Sequence, residues 1–198
     1  MPTLHVVAGP NGAGKTTFYT LRLKRLVPDA EFVNADDLAL AAFGHVARTA
    51  TESARGQDLA EARRRTLMQA GADLVMESTF SHPSKVALVR DAKALGYEVV
   101  VYHVNVRDPD LSVLRVAHRV GRGGHPVPEE KIRQRYARNQ PLIRDAARLA
   151  DRTYVFDNSG LGKPYEAVLI LAGVKPVFVH ESLPAWVSAL YADELAAR

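Results

Sequence analysis

The sequence predicts an α/β fold: a mostly parallel central sheet, helices on both faces, and a phosphate-binding loop near its start. Three observations carry that expectation. Short apolar runs alternate with helical patterns along the chain. The first run, LHVVA (4–8), leads straight into Gly9-x-x-x-x-Gly14-Lys15-Thr16. Beyond residue 114, arginines gather at helical spacing around a glycine loop, as in a small lid.

The elements follow in order. LHVVA reads as a buried first strand, and the glycine loop opens a helix from Lys15 to Leu26. EFVNA (31–35) is a second strand, with a short helix from Asp36, where Asp36 or Asp37 could serve as N-cap. Thr49-x-x-Glu52 has the form of a capping box, opening a helix that runs to Ala70. ADLVME (72–77) is a third strand. Pro83 suits the first turn of the next helix and Gly96 its C-terminal stop. YEVVVYHVNV (97–106) is the longest β-branched run and reads as a central strand. A helix from Asp110 to Val120 meets the loop GRGGHPVP (121–128). Another helix starts at Glu129, with Pro141 marking a kink or break. TYVFDN (153–158) is a fifth strand, EAVLILA and PVFVH read as edge strands, and an amphipathic helix from Pro184 closes the chain. No repeat, linker or low-complexity tract divides residues 1–198, so one domain is expected, with a lid over 115–140.

Composition narrows the class. Apolar residues make up 47% and charged residues 24%, as in an ordinary globular protein. No apolar run approaches the ~20 residues of a membrane span, and the N-terminus lacks a signal-peptide pattern. There are no cysteines, which excludes disulfides and thiolate metal sites. A nucleotide site points to the cytoplasm. The net charge is +4, but residues 115–152 hold ten Lys/Arg against four Asp/Glu, a net of +6, and the remainder is −2. That surplus fits local binding of phosphates.

The glycine loop (Gly9, Pro10, Asn11, Gly12, Ala13, Gly14, Lys15, Thr16, Thr17) is read as the ATP cradle. Its backbone N–H groups converge on phosphate oxygens, Lys15 reaches the β- and γ-phosphates, and the Thr16 hydroxyl ligates Mg²⁺. Ligands gather at the carboxyl ends of strands in such sheets. Asn34 and Asp36 follow the second strand; Glu77, Ser78 and Thr79 follow the third. Asp36 is placed to orient an acceptor hydroxyl and take its proton, and Glu77 to hold a metal-bound water or substrate hydroxyl. On the helix through 110–122, Val113, Val116, Ala117 and Val120 share one face, and Arg115, Arg119 and Arg122 the opposite one. Arg133, Arg135 and Arg138 follow on the next helix. Two arginine-bearing helices joined by a glycine loop would close over phosphoryl groups and neutralise charge developing in transfer. His125 in the loop could bind phosphate or sugar, or simply be exposed.

The ordered set of glycine loop, VNADDLA, LVMEST, VNVRDPDLSVLRVAHRV, GGHPVPEEKIRQRY and YVFDNS resembles the zeta toxin family over residues 3–160. The resemblance implies a P-loop kinase of the adenylate-kinase type, using ATP and Mg²⁺. It implies phosphorylation of a sugar hydroxyl of UDP-N-acetylglucosamine or a related nucleotide-sugar, and a small antitoxin partner encoded separately. By position, Lys15 and Thr16 match the phosphate and Mg²⁺ residues, Asp36 the base, Glu77 the substrate-side glutamate and Arg115 the first lid arginine. The second lid residue stays open among Arg119, Arg122, His125 and Arg135. Two competing classes remain: a polynucleotide or tRNA kinase using the basic segment, and a non-enzymatic nucleotide-gated interaction module. The chain shows no aromatic binding platform or separate basic domain of the kind nucleic-acid binders carry.

Overall fold

The computed structural model of the protein describes residues 1–124, 126–160 and 164–197. Its sheet has seven strands in the order β2-β3-β1-β4-β5-β6-β7. These are β1 (Thr3–Ala8), β2 (Glu31–Val33), β3 (Leu74–Ser78), β4 (Glu98–Asn105), β5 (Arg152–Asp157), β6 (Glu166–Ala172) and β7 (Lys175–Val179). The first five run parallel, and β6 and β7 add an antiparallel edge. β4 is central, as its β-branched run predicts, whereas β6 lies inside the sheet and only β7 forms that edge.

Parallel strands covered on both faces are continuously apolar, and β1 shows why. Leu4, Val6 and Ala8 point into one core with Met76, Val99 and Val101; Val7 points to the other with Phe18, Val75 and Val104. The first face is covered by α4 (Ala50–Gln69), α5 (Ser84–Ala94) and α7 (Glu129–Leu149). The second is covered by the helix after the glycine loop. That helix starts as α1 (Lys15–Phe18), widens into a π-helical turn (Tyr19–Leu23) and closes as α2 (Lys24–Leu26). Tyr19 in the wide turn stacks on Phe32 of β2 at 3.8 Å.

Local chemistry sets the ends of the remaining elements. β2 stops at Val33 because Asn34 already caps α3 (Ala35–Phe43). The capping box at α4 forms as expected: Glu52 N–H donates to Thr49 Oγ1 at 3.1 Å, and Thr49 N–H donates back to Glu52 at 3.3 Å. α6 (Pro109–Val120) is capped by Asp108, whose carboxylate accepts from Leu111 N–H at 2.8 Å. α7 runs through Pro141 without a break. Buried side chains on either side, Asn139, Ile143, Ala146 and Ala147, hold the helix together across the missing N–H. The expected single terminal helix is instead α8 (Ala185–Leu190) and α9 (Ala192–Ala196), divided at Tyr191, whose hydroxyl pairs with the buried His103 at 2.9 Å.

This C-terminal tail grips α7. Glu194 is 3% exposed, and both its oxygens accept from Arg144 Nε at 3.1 Å, with Arg148 at 3.4 Å. Arg144 also pairs with Asp193. Removing one partner of a buried ion pair costs more than its net worth, because a charge is left unpaired. Glu194→Ala should therefore lower unfolding stability by about 2 kcal/mol, below the fully buried case because both arginines reach solvent. A double-mutant cycle with Arg144→Ala in urea checks this; strict additivity of the two substitutions would contradict it.

Candidate functional site

The glycine loop leaves β1 between the carboxyl ends of β3 and β4, since Ala8 lies opposite Ser78 on one side and His103 on the other. Gly9 holds φ at 154°, and a Cβ there would collide with the Val104 carbonyl. Gly14, at φ 91°, opens α1; a Cβ would lie 2.8 Å from both Asn158 Nδ2 and the Tyr165 hydroxyl. Those two groups hold the loop from behind. Asn158 Nδ2 donates to the Ala13 carbonyl and the Tyr165 hydroxyl to the Gly14 carbonyl, each at 2.8 Å. An anion-binding loop presents its amides rather than its carbonyls, and here the Ala13 and Gly14 carbonyls are already taken by the body of the protein. Tyr165 is itself fixed by Arg22, whose guanidinium lies 5.4 Å from its ring and donates to the Pro164 and Tyr165 carbonyls. The sequence expectation contained neither Tyr165 nor Arg22. A lone tyrosine just before a strand carries no motif.

Lys15 and Glu77 meet in front of the loop. Lys15 Nζ donates to the Pro10 carbonyl at 3.0 Å and stands 4.0 Å from Glu77 Oε1. Burial pushes the Lys15 ammonium below the ordinary lysine range, with Glu77 opposing the shift and Arg119 adding to it. Glu77 Oε2 accepts from the Thr16 hydroxyl at 2.8 Å and from Asn34 Nδ2 at 3.0 Å. Asn34 works on both sides: its Oδ1 also accepts from the Asp36 and Asp37 amides at 2.7 and 3.4 Å. Asn34 is thus the cap of α3. Asp36 and Asp37 sit in its first turn, where the helix dipole favours carboxylates. Asp36 is exposed, and its charge acts on both Lys15 and Arg135. The Asp37 carboxyl is raised by burial and by its acidic neighbour. Beyond Glu77, Ser78 Oγ accepts from the Phe80 amide at 3.0 Å, and the Thr79 hydroxyl lies 3.4 Å from Ser81 Oγ.

The arginines divide into those at the loop and those tied elsewhere. Arg115 on α6 lies against the loop, its Cβ 3.3 Å from where a Cβ on Gly12 would stand. Arg119, one turn on, acts on Lys15, and its stem packs on Gly124. Arg135 on α7 donates to Asn11 Oδ1 at 3.4 Å; burial lowers its pKa and Arg138 lowers it further. Arg133, grouped with them in the sequence, instead pairs with Asp110 at 2.6 Å and Glu129 at 2.8 Å, fastening α7 to α6. Arg122 is exposed in the turn after α6. His125 lies outside the described residues. The apolar stripe of α6 behaves as its spacing predicts: Val113, Val116, Ala117 and Val120 line a groove completed by Val127 and Ile132.

Together these residues place a buried lysine and a hydroxyl of the glycine loop against one carboxylate, with an exposed carboxylate on α3 and arginines on two helices around them. A hydroxyl and a carboxylate oxygen are hard donors that suit Mg²⁺ better than a softer ion, so Thr16 and Glu77 fit the metal that accompanies nucleotide phosphates. Such a sheet, with this loop at its switch point, defines a P-loop protein of the kinase type. The profile of the Zeta toxin family matches residues 1–167, and the chain belongs to that family.

Solved structures agree on the fold. The AvrRxo1-ORF1:-ORF2 complex with ATP superposes with a TM-score of 0.67 at 18% identity, over 87% of this chain and 59% of that one. The PezAT chromosomal toxin–antitoxin system of Streptococcus pneumoniae gives 0.63 at 18%, over 86% and 71%. Shikimate kinase from Acinetobacter baumannii with shikimate gives 0.52 at 17%, over 100% and 93%. This chain therefore spans about three fifths of the AvrRxo1 protein's length. No curated protein matches it by sequence.

Lys15 supplies a test of the site's electrostatics. Phosphate binding requires the protonated ammonium, so nucleotide affinity should fall as pH rises through the depressed Lys15 pKa. Glu77→Gln removes the charge that opposes the depression. The fall should then begin at lower pH than in the wild type, as read by fluorescent-nucleotide titration from pH 6 to 10. Identical profiles would show that Glu77 does not set the Lys15 charge.

Proposed function

We propose that this protein is an ATP-dependent kinase that transfers the γ-phosphate to a hydroxyl of UDP-N-acetylglucosamine or a related nucleotide-sugar. It would act in the cytoplasm as the toxin of a pair whose small antitoxin is encoded separately. The observation that carries this reading is the convergence of Lys15, Thr16 and Asn34 on Glu77, with Asp36 in the first turn of the helix that Asn34 caps and Arg135 bonded to the loop at Asn11. A donor cradle alone serves any nucleotide protein; an exposed carboxylate in the first turn of α3, the helix whose cap bonds Glu77, is what an acceptor hydroxyl needs. Family membership and kinase-type fold support the same reading.

In this mechanism the loop amides and Lys15 hold the β- and γ-phosphates. Thr16 and Glu77 would hold Mg²⁺, which would supply positive charge to offset that of the phosphates. Asp36 accepts the proton of the acceptor hydroxyl as the new O–P bond forms and the bond to the ADP oxygen breaks. Arg115, Arg119 and Arg135 bring planar donors to the transferring phosphoryl group, with Arg122 and His125 as further lid groups. Asn34, Ser78 and Thr79 border the acceptor side. A nucleic-acid acceptor is disfavoured because several cations of the basic segment are already neutralised: Arg133 by Asp110 and Glu129, Arg144 and Arg148 by the tail.

Incubation with Mg·ATP and UDP-N-acetylglucosamine should give a product heavier by one phosphate in mass spectrometry. Asp36→Asn should reduce its formation by about a thousandfold, within the 10²–10⁴ of a general base, while ATP affinity changes little. Unimpaired transfer by Asp36→Asn would remove Asp36 from the role of base. Arg115→Ala should lower kcat by about a hundredfold, as loss of one transition-state donor does. Transfer only to a 5′-hydroxyl oligonucleotide, in a parallel reaction, would favour the polynucleotide-kinase class.

A further inference from the structure

Asn139 is wholly buried in the middle of α7, at 0% exposure. Its Nδ2 donates to the Thr79 carbonyl at 3.0 Å. A carbonyl can only accept, so the orientation of this amide is set. Thr79 is the first residue beyond β3 and stands two residues from Glu77.

The next residue, Phe80, has a φ of 57°. A left-handed backbone is an outlier for a bulky side chain, and it persists only where the surroundings over-determine it. Three contacts do so here. Ser78 Oγ accepts from the Phe80 amide at 3.0 Å, the Phe80 ring is fully buried, and Asn139 grips the preceding carbonyl.

The same helix reaches the glycine loop one turn earlier. Arg135 donates to Asn11, and positions 135 and 139 share a helix face by their i, i+4 spacing. Between and beside them, the Tyr136 hydroxyl donates to the Val106 carbonyl at 2.6 Å, and Gln140 Oε1 accepts from Asn105 Nδ2 at 3.2 Å. This stretch of α7 is therefore bolted to the carboxyl ends of β3 and β4 while its arginine faces the phosphate cradle.

We propose that Asn139 is a positioning residue that couples the two halves of the site. When a phosphate at the glycine loop engages Arg135, α7 is held in place, and Asn139 passes that order to the strained Thr79–Phe80 backbone beside Glu77. The nucleotide thereby prepares the acceptor side before the acceptor arrives. Asn139 touches neither reactant and acts only through the Thr79 carbonyl. The inference rests on the kinase reading in one respect, that nucleotide binds at the glycine loop; it does not depend on which acceptor is used.

Hydrogen exchange on the full chain, with and without Mg²⁺ and a non-hydrolysable ATP analogue, tests it. In the wild type the analogue should slow exchange at residues 9–18 and also at 78–82, the latter by about fivefold, the factor one buried hydrogen bond sustains. Asn139→Leu keeps the volume and removes the donor, along with an Oδ1 that has no partner among the described residues. It should lose the protection at 78–82 and keep it at 9–18. Asn139→Asp gives a readout that packing would not move. A protonated carboxyl can donate to the Thr79 carbonyl, whereas an ionised one repels it. Burial raises the pKa of such a group. Protection at 78–82 should therefore be present in Asn139→Asp at low pH and vanish as pH rises through that pKa, while the wild type keeps it throughout. Equal protection in wild type and Asn139→Leu would overturn the proposal, as would an Asn139→Asp variant indifferent to pH. Loss of protection at 9–18 in Asn139→Leu would also overturn it, reducing the residue to a part of the fold. Absence of any nucleotide effect in the wild type would strike the kinase reading itself, and this proposal with it.

Discussion

The Glu77 carboxylate is the group on which the site's geometry depends. Its side chain is 11% exposed, and a carboxylate so placed must be hydrogen-bonded on several sides. It is: Thr16 of the loop, Asn34 at the start of α3 and Lys15 of the cradle all converge on it. Lys15 and Thr16 belong to the junction after β1, Asn34 to the one after β2, and Glu77 itself to the end of β3. One buried charge thus sets the distance between the phosphate loop and the helix that carries Asp36. The same carboxylate keeps Lys15 closer to its charged form than burial alone would allow. Structure and chemistry share a single constraint.

α7 adds the second dimension. Its N-terminal half faces the cradle through Arg135, its middle is pinned to β3 and β4 through Asn139 and Gln140, and its C-terminal half is clamped by Glu194. The tail that supplies Glu194 lies beyond the residues matched by the family profile. A helix gripped along its whole length holds its arginines at fixed places relative to the sheet. Arg133 contributes to rigidity, since its two carboxylate partners join α6 to α7.

Much of the fold was legible in the sequence. The strands of the parallel core are fully buried apolar runs, and such runs betray themselves without long-range information. The Thr49–Glu52 capping box and the apolar stripe of α6 were readable for the same reason: each is a pattern closed within a few residues. What misled was also local. Asp36 and Asp37 were both open as caps because carboxylates favour helix starts, but Asn34 takes the role, its amide also donating to Glu77. Pro141 suggested a break, yet packing of Ile143, Ala146 and Ala147 outweighs one lost hydrogen bond.

The chain by itself determined the cradle, because a loop that presents amides to phosphate needs glycines at fixed spacing, and spacing is written in the sequence. It also determined which residue types stand at the strand ends. Only the tertiary structure decided which of them meet. Tyr165 and Asn158 support a loop some 145 residues away, Arg135 faces the cradle while Arg133 two residues earlier is neutralised, and Asn139 holds Thr79 across 60 positions. A hydrogen bond depends on distances of about 3 Å between atoms, and no periodicity along the chain encodes such distances between elements folded together from afar.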